Sequence, residues 1–526
     1  MSNPITRRIV ARKIREEAAE AEFLEPAPLP MNNGDEARYP TKIGNSTKGL
    51  HHDPLTGEVD VADYAAMIAA ISSGEFADFQ ALATDGHLGC PDPARQRRFV
   101  NPQSGYAFDL QGIDSHQLTM RPAPAFASAE EAGEMVELYW MALLRDVNFE
   151  DYATDPVALA AAADLSALTD FRGPMEAGQV TPQTLFRDTY PGCVTGPYIS
   201  QFLVQPVNFG AQRVDVRIQT GAPGEDYVTT FAEWLDVING CQPAHSVTPA
   251  GLVYCHNGRD LCQYVHADVL FQAYFVAMLN LLGGTYRADA GNPYGQFVDH
   301  TGTGLPLPAG VPGTRADIGF GTFGAPMIAT LVCEPASRAL KHQWYQKWLV
   351  HRRLRPEEFG GRVEVQRLGR RTYPFHDDLA ASAVLDTIFN TFGSHLLPQA
   401  FPEGSPVHTS YGSGHATVAG ACVTMLKAFF DEAEEIHSPM VPSADGLTLA
   451  PYVGPPLTVG GELNKLASNI SQGRDIAGVH WRTDATEANK LGEVVAISML
   501  KDMRGLYNEP FNGFSLTMFD GTTITV

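Results

Sequence analysis

The sequence has no basic surplus. Its 37 Lys and Arg stand against 60 Asp and Glu, a formal net charge of −23 over 526 residues. Surfaces that hold DNA or RNA carry the opposite balance, so nucleic acid and anionic membranes are excluded as partners. Only a local cationic pocket could hold a small anion. Paired cysteines are also missing. Cys90, Cys193, Cys241, Cys255, Cys262, Cys333 and Cys422 show no C-x-x-C spacing, which argues against a zinc ribbon or a disulfide scaffold and leaves room for one or two disulfides. The opening MSNPITRRIVARKIREEAAEAE lacks an apolar stretch, even after the pair Arg7-Arg8, so no signal peptide is expected. The most apolar run, 269–282, is broken by Gln272 and Asn280 and is shorter than the ~20 residues of a membrane span. The expectation is a soluble protein, cytoplasmic by default, without repeats or low-complexity tracts.

What is present is a well-cored chain, 44% hydrophobic and 18% charged. Its length would allow about three or four domains. No linker divides residues 61–526, however, so these are expected to form a single large helical domain behind an extended arm over 1–60. Helical patterns run over 62–71, 128–146, 156–168, 228–239, 264–283, 335–354, 378–393, 414–436 and 484–505. In the second of these, Glu130, Glu131 and Glu134 favour the first turn and Arg145 the end, as the helix dipole prefers. Strands are few. Leu516–Phe519 and Thr522–Val526 around Asp520-Gly521 predict a terminal β-hairpin with a type I′ turn. The fold class is mainly α, built of helix bundles.

Some motifs carry little weight. Gly319 to Gly324 matches G-x-G-x-x-G but follows a loop, so it reads as a glycine-rich turn packed under a helix. Cys255, His256, Cys262 and His266 fit no common zinc spacing. Gly412-Ser413-Gly414 is not a nucleophile elbow.

Three segments stand apart. In WYQKWLVHRRLRPEEFGG, Lys347, His351 and Arg355 recur every four residues, which places them on one helix face until Pro356 ends the helix. In HTSYGSGHATVAGACV, Ser413 is a natural N-cap and Gly414 lets an anion approach the first-turn amides; capping alone does not explain His415. In SQGRDIAGVHWRTD, Arg474 and His480 precede a helix starting near Thr483. Together these supply two guanidiniums, an ammonium, a helix N-terminus and two imidazoles. Such a set suits a tetrahedral oxyanion, with one His to bond its centre and one to move protons.

In this order, Lys–x7–Arg–Pro, Ser–Gly–His and Gly–Arg–x5–His resemble the signature of vanadium-dependent haloperoxidases, which share a helical fold and anion site with type 2 phosphatidic-acid phosphatases. EEAGEMVELYWMALLRDV, GPYISQFL, VHRRLRPE and GVHWRTD resemble the algal-type bromoperoxidases, over most of residues 60–526. The resemblance implies one vanadate per subunit, with His480 bonded to vanadium. Lys347, Arg355, Arg474, Ser413 and Gly414 would hold its oxygens. His415 would deprotonate hydrogen peroxide, and Lys347 would polarise the peroxide that a halide attacks, releasing hypohalous acid. Trp344 and His408 match positions beside the halide, and His408 resembles the bromoperoxidase type. Asp289 matches an Asp that pairs with an active-site arginine. Bromide and iodide are the implied halides, small organic molecules the acceptors, and a homo-oligomer the implied assembly.

Two departures matter. Gly412 stands where the family usually has Pro, which is expected to loosen the loop. Seven residues separate Lys347 from Arg355, and Gly473 precedes Arg474, where phosphatases have six and Ser. Both features favour the peroxidase over the alternative, a phosphomonoesterase with His480 as nucleophile.

Overall fold

The computed structural model describes residues 3–299, 301–304, 306, 314 and 316–526. An exposed helix α1 (Pro4–Leu24) precedes the helices that build the body around the site: α2 (Ala129–Leu143), α3 (Gly258–Ala267), α4 (Gln272–Gly283), α5 (Ala325–Tyr345), α6 (Pro356–Arg367), α7 (Gly414–Phe429), α8 (Val459–Ile476) and α9 (Arg482–Arg504). Among the described residues the strands form only two-stranded antiparallel sheets. A hydrophobic core runs from Ile43 to Val526. No single described helix is long and apolar enough to cross a membrane.

The centre is α7, packed against α5, α8 and α9. Its small residues permit unusually close approach. A Cβ at Gly420 would lie 2.0 Å from the Asn489 carbonyl oxygen, and one at Gly492 would lie 1.9 Å from that of Thr417. Two glycines therefore set the α7–α9 separation. Gly473 acts similarly between α8 and α3, where a Cβ would meet Leu261 and Val265 at 3.1 Å.

Several expectations change. The pattern over 264–283 is two helices, α3 and α4, bent by 102° at residues 268–271. The helix expected over 335–354 begins at Ala325, takes Pro335 into its interior, and passes into a π-turn over Gln346–His351. Arg352 then adopts φ 45° and stops it. Pro356 does not end this helix; it opens α6 as the first residue, where its missing N–H costs nothing. Glu130 and Glu131 lie in the first turn of α2 as expected, and its acids face the interior. Glu131 and Glu134 are buried and pair with Arg353. The terminal hairpin pairs Ser515–Thr517 with Thr523–Thr525. Its turn is not type I′, because Gly521 is left-handed and Asp520 is not.

Part of the 1–60 segment packs closely against the body. Residues 43–50 are buried in the body. Ser46 N–H donates to Arg352 O at 2.9 Å, Thr47 N–H to Glu358 at 2.8 Å, and Lys48 Nζ to Glu357 at 2.5 Å. The polar side chains of this segment, unpromising as core in sequence, find buried carboxylates. Cys90 and Cys241 form a disulfide. Cys255 and Cys262 are buried and free, His256 pairs with Asp260, and His266 with Glu403. The Gly319–Gly324 segment is a tight turn leading directly into α5, with Gly324 as its N-cap.

Candidate active site

Lys347, Arg355, Ser413, His415, Arg474, His480 and His408 meet around the N-terminus of α7, each supplied by a different local device. The π-turn carries Lys347, whose Nζ is fully buried and donates to Thr409 O (2.9 Å) and Ser410 O (2.7 Å). Such turns are frequent at functional sites because they re-aim a side chain that an α-turn would leave on the helix face. Arg355 is the N-cap of α6. Its Nε donates to His408 O at 2.9 Å, and Nη1 reaches Val479 O at 2.7 Å and His480 Nε2 at 2.9 Å. Arg474 ends α8. Its Nη1 donates to Val265 O at 2.9 Å, while its Nε is buried without a partner.

Ser413 caps α7 by accepting from Ala416 N–H at 3.4 Å. Its own N–H donates to Asp484 O at 2.8 Å. Gly412 is closely packed in this loop. It is buried, and a Cβ there would lie 2.8 Å from Asp484 O. A glycine here gives room for close backbone packing between the loop and α9.

Each histidine is oriented by a carboxylate or a ring. His480 Nδ1 lies 2.7 Å from an oxygen of Asp484, which leaves Nε2 facing the pocket beside Arg355. Asp484 also accepts from Arg353 at 3.0 Å and from the Ser410 hydroxyl. His415 Nε2 lies 3.0 Å from Asp268 Oδ1. The His408 ring lies 4.9 Å from that of Trp344, which also faces Lys347 Nζ at 5.7 Å.

Asp289 is a correction. Its backbone N–H donates to Phe429 O, and its Oδ1 accepts from Gly291 N–H in a turn after α4. The carboxylate beside His415 and Arg474 is Asp268, displayed by the α3–α4 break. Asp268 and Asp484 were both missed. Asp484 had a local signal: it stands four residues after His480 in the first turn of α9. Asp268 had none, being 147 residues from the histidine it meets.

Burial outweighs the site's carboxylates: Asp484 and Asp268 oppose the lowering of their cationic neighbours without cancelling it. Burial, then the Arg355 and Arg474 guanidiniums, push Lys347 well below its usual range. Burial lowers Arg355 to about 10, with Arg474 adding to it. His480 is pushed well down by burial and by Arg355, Lys347 and Arg474. His415 is lowered by burial, with Asp268 opposing. A desolvated cluster of mutually repelling cations with an unpartnered guanidinium N–H is a cavity made for a compact polyanion. The donor set fits vanadate: cationic and hydroxyl donors for its oxygens, and a neutral imidazole nitrogen for its metal.

Fold and pocket thus define a mainly helical protein with a buried cationic pocket into which His415 and His480 project. The comparisons narrow the class. The VCPO second helical-bundle domain matches residues 378–509. A vanadium-dependent bromoperoxidase of Corallina pilulifera is 36% identical, covering 94% of each chain. One of Corallina officinalis is 35% identical over 97% of each, and one of Ascophyllum nodosum is 35% identical over 91% of this chain and 85% of that one. The homohexameric structure of a second vanadate-dependent bromoperoxidase from Ascophyllum nodosum superposes with a TM-score of 0.90 at 28% identity, covering 99% of this chain and 90% of that one. The chain belongs to the vanadium-dependent bromoperoxidase family.

Proposed function

We propose that this chain holds one vanadate per subunit and uses hydrogen peroxide to oxidise bromide, and iodide, to hypohalous acid that halogenates small organic molecules. The observation that carries this reading is the buried cluster of Lys347, Arg355 and Arg474 around His480. His480 would ligate vanadium through Nε2, because Asp484 occupies Nδ1 and burial keeps the ring neutral. Lys347, Arg355, Arg474, Ser413 and the Gly414 N–H would hold the oxygens. Bound vanadate supplies a Lewis acid that activates peroxide without changing oxidation state.

The chain's own residues do the rest. His415, neutral and aligned by Asp268, accepts the proton of incoming peroxide. Lys347 keeps one Nζ–H beyond its two carbonyl partners and turns it toward developing negative charge. Trp344 and His408 form a wall beside that ammonium, where a halide would dock. Asp289 has no part in this set. Residues 43–526 act as one domain, and the chain assembles as a homo-oligomer, as the hexameric neighbour does.

The test is bromination of a dimedone dye by purified protein with orthovanadate, peroxide and bromide. Turnover that requires vanadate is expected; its absence sinks the reading. Phosphomonoester hydrolysis by vanadate-free protein would favour the phosphatase alternative instead.

A further inference from the structure

Helix α1 is out of place on a monomer. It has 21 residues, about 30 Å at the usual rise, and none is buried. It is tied to the body at its C-terminal end, where Gln117 Nε2 donates to Glu22 O at 2.5 Å and Glu25 O at 3.5 Å. Beyond that tie it borders a groove of about 790 Å³, lined by Ile14, Ala18, Phe23, Leu110 and Leu506 among others. Ile5, Ile9, Phe23 and Leu24 are 62–80% exposed.

Its charges are segregated. Arg7, Arg8, Arg12, Lys13 and Arg15 all precede Glu16, Glu17, Glu20 and Glu22. That order opposes the helix dipole, which favours acids first and bases last; the first turn has no acid and the last no base. Within the helix, relief comes from two exposed pairs, Arg12–Glu16 at 2.6 Å and Lys13–Glu17 at 3.3 Å. A membrane or a polyanion would be attracted by one half and repelled by the other. One surface complements the whole pattern: the same helix reversed.

We propose that α1 pairs antiparallel with α1 of a second copy about a two-fold axis between residues 14 and 15. This rests on the homo-oligomer reading above and names its contact. In that register, paired positions sum to 29. Arg12 meets the partner's Glu17, Lys13 the partner's Glu16, and Ile5 the partner's Leu24, all on the face of α1 turned away from the groove. The same patch serves both copies, as a two-fold interface requires. The opposed helix dipoles compensate each other. Local complementarity of this kind also overcomes the repulsion between two chains that each carry −23.

The experiment is sedimentation velocity on the full chain and two triple variants. One carries Arg8→Glu, Arg12→Glu and Lys13→Glu; the other carries Glu16→Lys, Glu17→Lys and Glu20→Lys. Each alone should fall to about half the wild-type mass or less, through loss of a two-fold contact. An equimolar mixture should regain the wild-type mass, which also shows that both variants fold. A triple variant that keeps the wild-type mass, or a mixture that stays apart, overturns the pairing. A wild-type chain that sediments as a monomer overturns the homo-oligomer reading itself, and the pairing with it.

Discussion

At the residue scale, the two imidazoles are held by different carboxylates, and the proposed function gives them different work. Replacing Asp484 with Asn removes the acceptor that fixes His480 Nδ1–H and should weaken vanadate binding by roughly 10–100-fold, the usual effect of losing the group that orients a metal-binding histidine. Equilibrium dialysis against orthovanadate would show it. Asp268→Asn acts on the other ring. Asp268 opposes the burial that lowers the His415 pKa, so its loss should lower that pKa further. His415 must be neutral to accept a proton, so activity falls as pH drops through its pKa. In the variant this acid limb should move to lower pH, while the plateau falls because the ring is no longer aligned. A pH–rate profile with unchanged acid limb would contradict the assignment. Of the site residues, Lys347, Arg355, Ser413, His415, Arg474 and His480 were legible because each stands in a short local motif. Asp268 was not, since only tertiary folding brings it to His415. Asp289 was misjudged for the same reason: a carboxylate in a plausible sequence setting says nothing of where the chain turns.

At the scale of elements, Gly420 and Gly492 hold α7 and α9 at backbone contact. Gly492→Ala would drive a methyl group into the Thr417 carbonyl. The expected cost is about 1–3 kcal/mol from overpacking, read as a lower midpoint in denaturant. Because α7 carries Ser413, Gly414 and His415 at its tip, vanadate affinity should fall with it. Legibility at this scale followed chemistry. Helix α9 and the start of α7 were visible from apolar periodicity and capping. Helix α8 was not, because it is buried on nearly all sides with polar residues such as Glu462, Asn464, Lys465, Asn469 and Gln472 inside. Such a helix has no amphipathic period to read. The π-turn at Lys347 leaves no trace in a four-residue spacing either.

At the scale of the whole molecule, a net charge of −23 surrounds a pocket of opposite sign. Anion capture therefore depends on short, desolvated contacts that salt screens weakly. Vanadate affinity should change little between low and moderate ionic strength, whereas assembly through α1 should weaken. Apo protein also pays for a cluster of unneutralised cations. Orthovanadate or phosphate should raise the unfolding temperature, with stabilisation of about 2.7 kcal/mol at a hundredfold excess over Kd. A scanning calorimetry series would give both the affinity and its salt dependence. The fold class was readable at this scale from helical periodicity alone. The burial of residues 43–50 was not, because the segment around Thr47 and Lys48 looks solvated until Glu357 and Glu358 are known to wait for it.

That segment has a consequence in time. Residues 44–48 lie along 352–358, and Thr47 reaches Glu358 across 311 positions. During synthesis at about 5–20 residues per second, those early residues remain without their partners for roughly 15–60 s. The segment cannot find its place as the chain first emerges. It docks late and backwards, when α6 arrives and residues 44–48 settle along 352–358.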